Sequence, residues 1–125
     1  MKKEIIQPEP APPSPAPFSP GIKIGNMVYT SGQVGIDPKT GKIPIKVGEQ
    51  TKICLERIKI ILEEAGSSLD NVVKTTVFLS DIRYFSDMNE VYVTFFPRDR
   101  PARSTVEARL AFPHLMVELE VIAHI

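Results

Sequence analysis

The stretch Gly48-Glu49-Gln50-Thr51-Lys52-Ile53-Cys54-Leu55-Glu56-Arg57-Ile58-Lys59-Ile60-Ile61-Leu62-Glu63-Glu64-Ala65-Gly66, followed by Val72-Val73-Lys74-Thr75-Thr76-Val77-Phe78-Leu79, decides the fold class. In the first part Cys54, Leu55, Ile58, Ile61, Leu62 and Ala65 recur at steps of three and four, which lines them along one side of an α-helix. Lys52, Glu56, Arg57, Lys59, Glu63 and Glu64 fill the opposite side, so the helix lies on a core with one face in water. Gly66 follows the last stripe residue, the place for a C′ glycine. The second part is β-branched and changes period, with Val73, Thr75, Val77 and Leu79 on one face of a strand. A helix followed by a strand that uses only one face predicts helices stacked on a sheet.

Downstream, Asp81 offers an N-cap. Ile82, Phe85, Met88, Tyr92, Phe95 and Phe96 form a second helical stripe, read as core, which Pro97 and Pro101 end. Strands follow at about residues 103–110 and 116–123, joined by Ala111-Phe112-Pro113-His114. That linker is too short for a crossover, so the two strands are expected to be antiparallel neighbours. Upstream, Met27-Val28-Tyr29-Thr30-Ser31-Gly32-Gln33-Val34-Gly35-Ile36 reads as two short strands broken near Gly32, and Asp37-Pro38-Lys39-Thr40-Gly41 as a turn, together a hairpin. The predicted order is β, β, short β, α, β, α, β, β, an α+β two-layer domain with two helices on one face of a mixed sheet. Seven of the 13 residues at 8–20 are proline. They exclude helix and central strand there. Composition alone allows a disordered tail, whereas Phe18 and strand-like residues on both sides favour an ordered, extended strap.

At 125 residues the chain is expected to be one domain spanning 1–125. Lys+Arg and Asp+Glu are 15 each, so the charge excess of a nucleic-acid-coating protein is absent and a nucleic-acid partner is not expected. No apolar run approaches a membrane span. The start has a basic pair with no apolar segment after it, and the single cysteine excludes an intrachain disulfide. A cytoplasmic location is the expectation. Cys54 lies on the apolar stripe with no histidine near it in sequence, so it reads as core rather than nucleophile. His114 reads as a loop residue, and His124 sits near the C-terminus. No Cys/His cluster, phosphate-cradling loop or dinucleotide fingerprint occurs, so neither a metal nor a cofactor is expected.

Period two in the last strands sets Ser104, Val106, Ala108 and Leu110 on one face, with Arg103, Thr105, Glu107 and Arg109 on the other. On the neighbour, Val117, Leu119 and Val121 share a face opposite Met116, Glu118, Glu120 and Ile122. The apolar sets are expected to meet the helices. The mixed face is either solvated, with weak cross-strand ion pairs, or covered by another subunit, since Met27, Tyr29, Met116 and Ile122 leave apolar area on it. Arg103, set by Pro101-Ala102, presents a planar fork suited to a carboxylate. Glu118 and Glu120 are expected on the adjacent strand, where a glutamate handles a proton or a water.

Gly25-Asn26-Met27-Val28-Tyr29-Thr30-Ser31-Gly32-Gln33, Asp37-Pro38-Lys39-Thr40-Gly41, Val73-Lys74-Thr75-Thr76-Val77-Phe78-Leu79, Met88-Asn89-Glu90-Val91-Tyr92 and Pro101-Ala102-Arg103-Ser104-Thr105-Val106-Glu107 resemble, in order, the motifs of the RidA (YjgF) family of reactive intermediate imine and enamine deaminases. The resemblance implies a chorismate-mutase-like fold and a homotrimer whose sheets line an inner barrel, with ligand clefts between subunits. It implies hydrolysis of 2-imino and 2-enamino acids, of the 2-aminoacrylate type, to 2-keto acids and ammonia without metal or cofactor. By the same resemblance Arg103 binds the substrate carboxylate and Glu118 positions or activates water. Ser31, Gly32, Asn89 and Thr105 line the cleft. Phe18 stands where the family often has tyrosine, which removes a hydroxyl from the pocket while the ring can still close it. The alternatives are a non-catalytic regulator that binds small carboxylates or 2-keto acids and, disfavoured by the balanced charge, an endoribonuclease.

Overall fold

The structure, a computed structural model, describes residues 1–8 and 16–125. Of the proline-rich strap at 8–20, residues 9–15 lie outside the described residues. The elements run β1 (Glu4–Ile6), β2 (Gly21–Ile24), β3 (Met27–Thr30), β4 (Gln33–Val34), α1 (Val47–Glu64), β5 (Val72–Leu79), α2 (Phe85–Phe95), β6 (Ala102–Glu107) and β7 (Val117–His124). They form one mixed sheet in the order β1-β2-β3-β7-β5-β6, with β4 also paired to β7. Both helices lie on the same face, as expected for an α+β architecture.

The α1 stripe does what its spacing predicts. Cys54, Leu55, Ile58, Ile61, Leu62 and Ala65 are all buried and meet Val77, Leu79, Val117, Leu119 and Val121 from the sheet. Each such side chain contributes roughly 1.5–3 kcal/mol when fully withdrawn from water. Cys54 is a core residue, its thiol pushed up to about 12 by burial before any other cause. That leaves no thiolate for chemistry.

Several expectations fail, each for a physical reason. The hairpin is not the one predicted. The Asp37 turn forms, with Asp37 Oδ1 accepting from the backbone N–H of Lys39 at 2.8 Å, but no strand follows it. The hairpin instead joins β2 to β3 across Gly25-Asn26, with Ile24 opposite Met27. Gly25 takes φ 55 there, the conformation a two-residue turn demands and a side chain resists. β3 and β4 do not pair with each other. Both pair with β7, Tyr29 opposite Ile122 and Gln33 opposite Leu119. Four residues on β3–β4 therefore span three on β7, which is a bulge at Thr30-Ser31-Gly32.

A second bulge, between Val72 and Lys74, turns Val73 out of the face it was expected to share. Val73 is 45% exposed whereas Thr75, Val77 and Leu79 are buried. On the second stripe Met88, Tyr92 and Phe96 are buried, but Ile82 and Phe85 are 47% and 40% exposed. The Asp81 cap serves the short 3-10 turn at Ile82–Tyr84 that precedes α2, not α2 itself.

The last two strands are not neighbours. β6 pairs parallel with β5, β7 pairs antiparallel with β5, and β5 lies between them. A parallel partner reached through α2 satisfies β6, which the short linker to β7 does not constrain. This changes the faces. Arg103 is opposite Thr75 and Thr105 opposite Val77, both on the buried side of β5. Arg103, Thr105 and Glu107 therefore face the helices, and Ser104 and Val106 face away, the reverse of the expectation for β6. The expectation for β7 holds: Val117, Leu119 and Val121 are buried.

Candidate functional site

The predicted site residues form two groups. The first sits on the helix side of edge strand β6. Arg103 leaves the strand toward α2, where its Nη1 donates to Asn89 Oδ1 at 2.8 Å. Its guanidinium carbon lies 4.7 Å from the centroid of the Tyr92 ring and 5.4 Å from that of Phe85. Phe85, Asn89 and Tyr92 are spaced i, i+4, i+7 on α2 and so share one helical face. No ion pair to Arg103 forms among the described residues; the pairs found join Lys52 to Glu56 and Arg83 to Asp81. A cation half-withdrawn from water and met only by neutral groups is prepared for an anion. Beside it the Thr105 hydroxyl is buried with no hydrogen-bond partner.

The second group gathers at the Thr30-Ser31-Gly32 bulge and β7. Thr30 Oγ1 accepts from the Val121 N–H at 3.0 Å and so takes a ladder position within the bulge. Ser31 Oγ donates to the Ser19 carbonyl at 2.5 Å, and the Ser31 N–H to the Pro20 carbonyl at 2.9 Å. These bonds bring the end of the strap, with Phe18 54% exposed, next to the bulge. Glu118 lies against Gly32 so closely that a Cβ at position 32 would stand 2.7 Å from Glu118 Cδ. Burial, and next to it the neighbouring Glu120, raise the Glu118 carboxyl above its ordinary pKa. Such a shift suits a group that takes and returns a proton.

The structure thus brings together Asn89, Arg103 and Thr105, and separately Ser31, Gly32 and Glu118 with Phe18 close by in the chain. It does not bring the two groups together within one protomer. Glu118 is opposite Phe78, on the face of β5 away from the helices. The expected Arg103–Glu118 neighbour pair is therefore corrected: the two lie on opposite faces, with Cα atoms about 14 Å apart by strand spacing and rise. The sequence reading also missed Phe85 and Tyr92 as site residues. The available signal was a polar asparagine set inside an aromatic stripe at helical spacing. Among the described residues no three His, Cys, Asp or Glu side chains cluster to hold a metal. No helix among them is long and apolar enough to cross a membrane.

The fold and its site define a small α+β protein that carries, at its sheet edge, a guanidinium matched by no carboxylate among the described residues. The chain belongs to the family described as Endoribonuclease L-PSP, which matches residues 8–125; this is the RidA/YjgF family the motifs resemble. It is 48% identical over 126 residues to a RutC family protein of Pyrococcus abyssi, covering 99% of this chain and 98% of that protein. It is 40% identical over 126 residues to the 2-iminobutanoate/2-iminopropanoate deaminase of Escherichia coli, covering 98% of each. The crystal structure of Escherichia coli TdcF with bound serine superposes with a TM-score of 0.90 at 38% identity, covering 98% of each chain.

Proposed function

We propose that the protein hydrolyses 2-imino and 2-enamino acids to 2-keto acids and ammonia, in clefts formed where copies of the chain meet. The observation that carries this reading is the Arg103 guanidinium, held by Asn89 and two rings and matched by no carboxylate among the described residues. The deaminase name of the Escherichia coli relative and the serine bound to TdcF support a small amino- or imino-acid ligand.

Arg103 holds the substrate carboxylate through two parallel N–H···O bonds. That hold places the C=N carbon within reach of a water oriented by Glu118 of a second copy. Water oxygen adds to this carbon while one of its protons passes to the Glu118 carboxylate. That proton passes to nitrogen, giving a carbinolamine; its hydroxyl proton then passes through the Glu118 carboxylate to the same nitrogen as the C–N bond breaks, so that C=O forms and ammonia leaves. Positioning supplies most of the acceleration, because imines already hydrolyse in water.

The assembly reading rests on the sheet face away from the helices. Ile5, Ile22, Tyr29, Ile122, Phe78 and Val106 lie on it by register, around Glu118 and Glu120. Such an apolar face calls for a cover, and three copies turning these sheets inward provide one. The same packing brings the β6 edge of one copy toward the Glu118 face of the next.

The test follows the decay of 2-iminobutanoate generated in situ by an amino-acid oxidase. The wild-type protein is expected to speed its decay and Arg103→Ala to abolish the effect; undiminished turnover in that variant would overturn the reading. A second reading, a sensor that binds 2-keto acids without turnover, is favoured by Phe18, which brings no hydroxyl to the pocket. It is distinguished by saturable 2-oxobutanoate binding without imine turnover, with activity appearing in Phe18→Tyr.

A further inference from the structure

An arginine that must bind a carboxylate faces a conflict. Its long side chain needs support to hold one plane, yet a carboxylate support would compete with the ligand. The surroundings of Arg103 resolve this with neutral groups. Asn89 Oδ1 accepts from Nη1 at 2.8 Å, and the Tyr92 ring lies 4.7 Å from the guanidinium carbon.

Tyr92 is itself held fast. Its hydroxyl and that of the buried Thr75 are 2.7 Å apart in a hydrogen bond, and its ring leans on Phe96 with centroids 4.8 Å apart. Thr75 is the residue directly opposite Arg103 in the β5–β6 register. One pair of strands thus carries both the guanidinium and the anchor of the ring that supports it. Burial raises the Tyr92 phenol pKa, so the ring stays neutral and leaves the arginine's charge to the ligand.

We propose that Tyr92, anchored by Thr75, is the positioning residue that holds the Arg103 guanidinium in the plane a ligand carboxylate needs. Tyr92 touches neither substrate nor reacting atoms; it acts through Arg103. The identity of the ligand rests on the deaminase reading above, whereas the support of the guanidinium does not.

Two measurements test this on Tyr92→Leu, Tyr92→Phe and Thr75→Val. The first is NMR of the Arg103 Nε–H and Cδ protons, which a ring at this distance shifts upfield. The shift is expected in the wild-type protein, reduced alike in Tyr92→Phe and Thr75→Val, each of which removes the one hydrogen bond between the two hydroxyls, and lost in Tyr92→Leu. The second is kinetics with 2-iminobutanoate, together with calorimetric binding of 2-oxobutanoate. Loss of the ring is expected to raise KM and the 2-oxobutanoate Kd about tenfold with kcat held within about twofold, as befits binding shared by ground and transition states. A general structural defect would lower kcat as well. Unchanged Arg103 resonances and unchanged KM in a folded Tyr92→Leu protein overturn the proposal. If that variant does not fold, Thr75→Val decides: Arg103 resonances and a KM that both match the wild type there are equally fatal. A wild-type protein that neither binds 2-oxobutanoate nor speeds imine decay, yet shows the Tyr92-dependent shift, counts against the deaminase reading and for the positioning role.

Discussion

Arg103 and Glu118 stand on opposite faces of one sheet, with β5 between their strands. Arg103 shares the helix side with Thr75, and Glu118 shares the other side with Phe78. A protomer by itself therefore holds the proposed carboxylate-binding cation in one place and the proposed proton-handling carboxyl in another. In the proposed function the two meet at a common ligand through a second copy.

Complementation follows from this. Arg103→Ala and Glu118→Gln are each expected to be inactive alone. Unfolded together and refolded as mixed closed rings, they form clefts carrying both native residues at random, recovering on the order of a quarter of wild-type activity. The imine-decay assay on the mixture reads this directly. Mixed assemblies with no recovery would place both residues of each site in one chain.

Gly32→Ala sets a methyl group where the Glu118 carboxyl now lies, 2.9 Å from Glu118 Cγ. The atoms displaced are the flexible end of a half-exposed side chain, so the expected loss of stability is below about 1 kcal/mol. Turnover is expected to fall by at least about tenfold, because the carboxyl leaves the geometry that proton transfer requires. Thermal melting and imine decay on the same preparation separate the two effects. Full activity would remove Glu118 from the reaction.

Glu118→Gln is expected to stabilise the protein near neutral pH while abolishing turnover. Burial, and second the nearby Glu120, raise the Glu118 pKa in the folded state. Above the unfolded value, about 4.3, the native state holds this proton more tightly than the unfolded chain, so stability falls as pH rises toward the folded pKa. Wild type and variant should melt alike below about pH 4, with the variant melting higher at about pH 7.5. A gap independent of pH would show that the carboxyl is not desolvated.

Ile122→Glu probes the face away from the helices. Ile122 lies beside Tyr29 and Lys74 there, not in the core under α1. A charge at this position is expected to dissociate the proposed assembly in sedimentation at micromolar concentration with helical circular dichroism retained, since an unpaired buried charge is costly only in the associated state. Activity should vanish with dissociation. An unchanged sedimentation coefficient would mean that this face is not the interface.

Much of this fold is legible in the chain. Leu55, Ile58 and Leu62 announce α1, and Thr75, Val77 and Leu79 announce β5, because each pattern repeats over enough residues to outweigh local accidents. Short elements escape. β2 is four residues long, and only Gly25-Asn26 between Ile24 and Met27 marks its hairpin. The bulges at Ser31 and Val73 cannot be read from period two, since each breaks that period by one residue. Phe85 and Tyr92 look like core on α2, because an aromatic ring under a cation and one under a leucine carry the same helical spacing.

By itself the sequence determined which segments become the helices and the long central strand, and which few polar side chains stand where apolar ones were due. Those are local properties, set by the repeat of each element and the chemistry of each side chain. Only the tertiary structure decided that β6 lies parallel on the far side of β5, and hence that Arg103 faces the helices while Glu118 faces away. Period two divides a strand into two faces but does not say which one meets the core. On β6, where both faces mix polar and apolar residues, the choice belongs to the neighbouring strand.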